Sequence, residues 1–505
     1  MRLTSLNHSI NMAALAAMFF ILSACGGRHH PSKAEVLARV NEAQEVQVLV
    51  KKNGQEIVFE KEVESEVLYT QTFIHKVNGI EVLGSGVRYH LNQKDVDQVS
   101  SHLKEIPSTL EPKLSVNDAL LRFQGIEPAK SVATVPALKI LPPMQAKPAR
   151  IIYIAGLSSG EEIWIDANTG EHVATLEEGQ NALSAENNGI ILIKLPNDRC
   201  SISKMNSEKV SEFGKAQCKS KQEKACQVLN WNMLPMAFHP AACKMAPAKD
   251  ESSQRADQNS KKFLEYFKSN HNRDSYDNLG TPIVSIVHGG QEYANASWFK
   301  KEKVLVYGDG DGTTFKDFTF GVDIAGHELT HGVIQTSAGL LALGESGALN
   351  ESIADYFGKL VEGADDWNFG KTVFLETSGN QAIRDLMDPS RLMGQFKDGA
   401  GELVTRPFPV KISDAAPIVE PCLEKNDFCG IHYNATVPGH TWYLMHKKLG
   451  QEKAEKLLYL ALTHYFHELT DFKEAAVGTL EACHSFLSQN DCSEVEDVFS
   501  RTGML

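Results

Sequence analysis

Long apolar runs, basic residues and early cysteines are all scarce in this chain of 505 residues. The longest apolar stretch, Met12 to Leu22, has eleven residues, short of the roughly 20 that a membrane-crossing helix needs. A bundle of membrane-crossing helices is therefore excluded. Lys and Arg number 50 against 64 Asp and Glu, a formal charge of −14, which argues against nucleic acid as a partner because phosphate binding needs clustered cations. Between Cys25 and Cys200 there is no cysteine, so the early region is built without cross-links. No two cysteines have the C-x2-C spacing, and an all-cysteine tetrahedral metal site is discounted accordingly. What is present is length for about three units, with strand signals early and helix signals late.

The N-terminus reads as an address. Met12–Leu22 has the length of a signal h-region and ends in Leu22-Ser23-Ala24-Cys25, which resembles the bacterial lipoprotein box. Cleavage before Cys25 would make that cysteine the site of lipid attachment and fix the exported protein to the cell envelope. The plainer alternative is an ordinary secretory signal. With Cys25 set aside, eight cysteines remain: 200, 218, 226, 243, 422, 429, 483 and 492. An even count suits an oxidising compartment. Short spacing favours Cys422–Cys429 and Cys483–Cys492, although sequence does not fix connectivity.

The chemistry is concentrated in His327-Glu328-Leu329-Thr330-His331 and in Glu351, with nineteen residues between His331 and Glu351. Residues four apart share one face of a helix, so both imidazoles can meet one ion. Two neutral nitrogens and a carboxylate make a three-ligand zinc site with a position left for water. Glu328 is placed to take a proton from that water. Apolar and small flanks (Val322, Ile324, Ala325, Gly326, Val333, Ile334) suit a buried helix. Leu349, Ile353, Phe357 and Leu360 give the Glu351 stretch its own helical pattern. Asp355 could accept the second N–H of a ligating histidine.

From His288 to Gly358, and in pieces to the C-terminus, the sequence resembles the thermolysin family of neutral metalloproteases. The matching stretches are Tyr293-Ala294-Asn295-Ala296, Val306 to Gly312, Asp323 to Val333, Glu345 to Gly358, and Asp427 to Asn434. The resemblance implies an α+β fold: a β-rich N-terminal lobe, a central helix bearing the histidines, and a mostly helical C-terminal lobe, preceded by an α+β pro-region. The expected divisions are 1–24 signal, 25–185 pro-region, 186–340 first catalytic lobe and 341–505 second. Residues 190–255 fit this scheme only by position.

It further implies that His432, with its ring held by Asp427, hydrogen-bonds the oxyanion, and that Asn295 and the Ala296 backbone bind substrate as an added strand. Arg384 would contact the residue after the cut. Phe315, Ile324 and Ile383 would line a pocket favouring cleavage before bulky hydrophobic residues. Asp323, Glu362 and Asp366 match part of a calcium site. Asn368 and Lys371 replace two of its acidic positions, and a lysine ammonium there would leave room for one calcium at most. Ala342 stands where the family has a tyrosine that assists the oxyanion.

In the early region, glycine-turned hairpin signals from Val67 to Asn92 resemble the propeptide module of thermolysin and fungalysin precursors. Ile151–Ile154 and Glu162–Glu171 resemble a PepSY module, with Pro128 to Arg150 read as the linker between them. By resemblance these modules aid folding and inhibit the protease until cleavage near Ser184–Gly189, which would also free the enzyme from its lipid. His464, His467 and Glu468 mimic a metal pair but read as packing, and Asp309-Gly310-Asp311-Gly312 reads as a tight turn. The functions in competition are a zinc endopeptidase acting on protein or peptide substrates and a silent, zinc-containing surface binding protein. The intact Glu328 favours the first; Ala342 is the one mark for the second.

Overall fold

The computed structural model describes residues 31–42, 54–92, 97–144, 147–158, 161–176, 250–281, 283–288, 293–300, 303–363, 365–379, 381–398 and 400–505, and the backbone of 190–194 and 228–230. Cys25, the Ser184–Gly189 stretch and Cys200, Cys218, Cys226 and Cys243 lie outside these residues. Among the described residues, no helix is long and apolar enough to cross a membrane.

The N-terminal unit opens with helix α1 (Lys33–Glu42), then β1 (Gln55–Glu64), β2 (Leu68–Val77), β3 (Ile80–Asn92), β4 (Asp97–Ser101), α2 (Val116–Ile126), β5 (Ala137–Leu141), β6 (Arg150–Gly156), β7 (Glu162–Asp166) and β8 (His172–Leu176). Its sheet runs β1-β2-β3-β5-β6-β7-β8, with β4 also on β3. The turn between β2 and β3 is Asn78-Gly79, both at positive φ, the pairing a two-residue hairpin demands. The Asn-Thr-Gly turn joins β7 to β8, where Asp166 Oδ1 accepts the N–H groups of Asn168 and Thr169 at 2.8 and 2.9 Å. The linker reading of 128–150 is corrected: it contains β5, antiparallel to β6 and touching β3 at Val82↔Ile140. Prolines at 136, 142 and 143 bracket that strand rather than interrupt it.

The next unit has a sheet ordered β10-β9-β11-β13-β12, made of β9 (Ile190–Lys194), β10 (Val228–Asn230), β11 (Val284–Val287), β12 (Ala296–Phe299) and β13 (Val304–Tyr307). Helix α3 (Glu251–His271) lies between β10 and β11, and α4 (Val322–Gln335) and α5 (Gly344–Glu362) follow β13, then the short pair β14 (Asn368–Phe369) and β15 (Arg384–Asp385) and the hairpin β16 (Met393–Lys397)–β17 (Leu403–Pro407). The chain ends in α6 (Asp427–Asn434), α7 (Thr436–Leu449), α8 (Gln451–His464), α9 (Phe472–Phe486) and α10 (Gln489–Thr502). One apolar core joins α3, α4, α5 and the late helices. Disulfides close Cys422–Cys429 and Cys483–Cys492.

The N-terminal unit packs on the α8–α9 connection. Arg88 donates to the carbonyls of Tyr465 and Phe466 at 3.0 and 2.8 Å, and Gly84 N–H donates to Glu468 at 2.7 Å. A side chain at Gly84 would meet His467 at 2.8 Å, so glycine is what permits this approach. Thr70 bridges His90 and His464, His90 stacks on Tyr465, and His102 stacks on His467. The three suspected metal mimics are thus contacts to this unit.

Burial first, then neighbouring cations or histidines including Arg88, push His90 and His102 well below the ordinary histidine value; burial and Arg88 push His464 to about 3. Glu468, Glu474, Glu481 and Lys104 also face this contact. A histidine kept neutral in the fold takes up protons more readily when unfolded, so the stability His464 contributes rises with pH between about 3 and 6.5 and is lost as pH falls through that window. His464 alone should cost about 1.4 kcal/mol per pH unit there, with His90 and His102 acting in the same direction. Thermal melts at neutral and mildly acidic pH check this: a flat Tm, with the N-terminal unit equally protease-resistant, would contradict it.

Candidate active site

Helices α4 and α5 cross closely because small residues meet at the crossing. A Cβ on Gly326 would lie 2.9 Å from the Gly358 Cα, and one on Gly358 would lie 2.5 Å from the Asp323 carbonyl oxygen. That approach brings Glu351 on α5 up to the histidines of α4. His327 Nε2 and His331 Nε2 are 3.0 Å apart, and Glu351 oxygens lie 3.4 Å from the first and 3.6 Å from the second. All three residues are buried.

The far side of each ring is fixed. His327 Nδ1 lies 2.9 Å from Asp355 and His331 Nδ1 lies 2.8 Å from Asn350 Oδ1. Asn350 Oδ1 holds the His331 proton on Nδ1, and the Asp355 carboxylate beside His327 Nδ1 favours the same tautomer there; two Nε2 lone pairs then face each other at a distance that repels unless a cation lies between them. Tetrahedral zinc with bonds of about 2.0–2.1 Å separates its ligand atoms by roughly 3.3 Å, so the donor set and spacing fit zinc. Asn350, which also donates to the Leu340 carbonyl at 2.9 Å, was not foreseen; its place beside Glu351 was the available signal.

Glu328 points into the same space. One carboxylate oxygen accepts the Trp298 backbone N–H at 2.7 Å, and the other is 4.0 Å from His327 Nε2. Burial raises its carboxyl to about 7, with Glu351 adding and His327 opposing. Arg384 grips Asp355 through two hydrogen bonds, 2.5 and 2.7 Å, and lies 3.9 Å from Glu351. This arginine therefore anchors the partner of His327, a contact the sequence did not suggest.

His432 stands on α6, whose entry is unusual: Asp427, Phe428, Cys429 and Gly430 all have positive φ. The left-handed run folds Asp427 back so that its carboxylate takes both the His432 backbone N–H, at 2.9 Å, and Nδ1 in a short contact. His432 Nε2 is left 3.4 Å from Glu351. Burial opposes its protonation, but Asp427 and Glu351 lift it to about 9.

Ala296 begins β12, an edge of its sheet among the described residues, and the Asn295 carbonyl accepts from Gly308 N–H at 2.9 Å. Asp311 caps the following turn, taking the N–H groups of Thr313, Thr314 and Phe315. Ile324 is buried, while Phe315 and Ile383 are half-buried against the core. Ala342 lies between Leu341 and Leu343, which pack with Leu83 and Trp164 of the N-terminal unit.

The acidic cluster differs from the expectation. The cation among Asp323, Glu362 and Asp366 is the ammonium of Lys359: it contacts Glu362, lies 3.2 Å from Asp366 and 4.0 Å from Asp323, and donates to the Asn368 carbonyl at 3.3 Å. Lys371 reaches only Asp366, from the exposed side. Burial opposes the Lys359 charge, but Glu362, Asp323 and Asp366 outweigh it. A calcium at these oxygens would have to displace that ammonium.

Residues 198–335 match the model of the thermolysin metallopeptidase catalytic domain, and residues 338–504 match that of its alpha-helical domain. The first match takes in most of 190–255, the stretch whose sequence showed no visible likeness. Neutral protease NprE of Bacillus pumilus is 33% identical over 257 residues, 50% of this chain and 78% of that protein. A bacillolysin of Bacillus subtilis is likewise 33% identical over 50% of this chain, but the match spans only 45% of its own length. A solved precursor of protealysin from Serratia proteamaculans is 25% identical, covering 60% of this chain and 96% of that one with a TM-score of 0.46. The chain belongs to the thermolysin metallopeptidase family, whose members are zinc-dependent hydrolases of peptide bonds.

Proposed function

We propose that this chain is an exported endopeptidase made as a precursor, with His327, His331 and Glu351 holding zinc and Glu328 serving as the base. The convergence of four α4 and α5 side chains on one small space carries the reading. Zinc bound there would supply Lewis acidity toward a water molecule and the scissile carbonyl. Glu328 takes the proton as the water oxygen bonds to the carbonyl carbon, then delivers it to the departing amine as the C–N bond breaks. His432, its Nδ1 tied to Asp427, donates from Nε2 to the developing oxyanion. Asp355 and Arg384 fix the His327 ring, and guanidinium N–H groups not taken by Asp355 face the residue after the cut. The edge of β12 at Asn295 and Ala296 receives the peptide as an added strand. Phe315, Ile324 and Ile383 favour a bulky hydrophobic residue after the cut.

The N-terminal unit acts as the pro-region, and Leu22-Ser23-Ala24-Cys25 supports lipid attachment ahead of it. Cleavage between the two units would release the enzyme. The protein should hydrolyse casein, lose activity to a zinc chelator and regain it with added zinc. His432→Ala should lower kcat by about 10²–10³, the usual cost of one oxyanion donor. No hydrolysis from cleaved protein would favour the binding-protein reading, and chelator-resistant hydrolysis would contradict zinc as the agent.

A further inference from the structure

We propose that Gln335 is a positioning residue that sets the distance between the general base and the strand that receives substrate. The proposal deepens the reading of Glu328 given above and rests on it.

Gln335 is the last residue of α4, seven residues after Glu328 and so about two helical turns along the same face. Its Oε1 accepts the indole N–H of Trp298 at 3.2 Å, and its Nε2 donates to the Lys300 carbonyl at 3.2 Å. Glu328 accepts the backbone N–H of that same Trp298 at 2.7 Å. The two side chains therefore grip one short stretch of β12 and its continuation, Glu328 by the main chain and Gln335 by the indole and the carbonyl beyond it.

The remaining contacts agree. Trp298 is buried against α4, and a Cβ on Gly332 would lie 3.0 Å from its ring. On the sheet side β12 pairs with β13, and among the described residues no other strand borders it. Its position across α4 is therefore set by side chains. Ala296, two residues before Trp298, begins the edge assigned to the substrate. A shift of β12 would move the peptide and the N–H that orients Glu328 together.

The side-chain chemistry is specific. A single group must accept from an indole and donate to a carbonyl; an amide does both, whereas a carboxylate only accepts and an ammonium only donates. Displacements of about 1 Å can cost ~10²-fold in rate, so a lost clamp should appear in kcat rather than in metal binding.

The test compares Gln335→Met, Gln335→Glu, Trp298→Phe and the double variant Trp298→Phe/Gln335→Met, with kcat, KM, zinc content and Tm measured for each. Gln335→Met should lower kcat by about tenfold or more, with KM within about threefold, zinc retained and the fold intact. Gln335→Glu, which keeps the indole's acceptor, should recover part of the loss. The double variant should be little worse than Gln335→Met, because both changes break the same bond. A kcat within about twofold of wild type for Gln335→Met, or losses that multiply independently, would overturn the proposal. Glu328→Gln run alongside separates two failures. If it is inactive while Gln335→Met is unaffected, only the positioning role falls; if Glu328→Gln is fully active, the base reading falls and this proposal with it.

Discussion

Glu328→Gln should lower kcat by about 10²–10⁴, the range contributed by a positioned proton-transfer group, while KM and zinc content stay near wild type. The substitution is nearly isosteric. Its amide oxygen can still accept the Trp298 N–H that holds the carboxylate at 2.7 Å, so the side chain need not move. It cannot take a proton from water, and that is the one property removed. None of His327, His331 or Glu351 changes. Kinetics on a fluorogenic peptide, with metal analysis of the same sample, checks the result. A loss below about tenfold, with zinc bound, would mean that another group takes the proton.

Lys359→Met should destabilise the protein by about 3–5 kcal/mol, the range for removing one partner of a buried ion pair. Methionine keeps most of the stem but none of the charge. Asp323 is fully buried and Glu362 partly so, so their mutual repulsion would be left without a cation. The cluster ties α4, which bears the histidines, to α5, to β14 and to Gly370 just after it. A Tm drop on the order of 10 °C is expected for a unit of this size, and added calcium should restore part of it while leaving the wild type unmoved. A variant as stable as wild type would show that the ammonium is not needed there.

These two residues mark what could be read in the sequence. Glu328 and the histidines were legible because helical spacing is local: residues four apart meet whatever the rest of the chain does. Glu351 was legible through its own helical pattern, and Asn78-Gly79 because a two-residue turn carries its own signature. Lys359 was not, since a lysine three residues before a glutamate looks like any solvated helix pair; only tertiary packing puts it among three carboxylates. β5 was hidden by its prolines. Thr70 meets His464 across 394 residues of sequence, which explains why the late histidines read as packing without a visible partner. The grip of Arg384 on Asp355 and of Gln335 on Trp298 and Lys300 joins residues far apart in the chain, and no pattern in one sequence reports that.

The measurement that bears most directly on the whole account is the zinc content of purified protein, wild type beside His331→Ala, after exhaustive dialysis. One zinc per wild-type chain and a large loss in the variant is the predicted result. Wild type without a bound transition metal, or a variant that holds zinc as tightly, would contradict it.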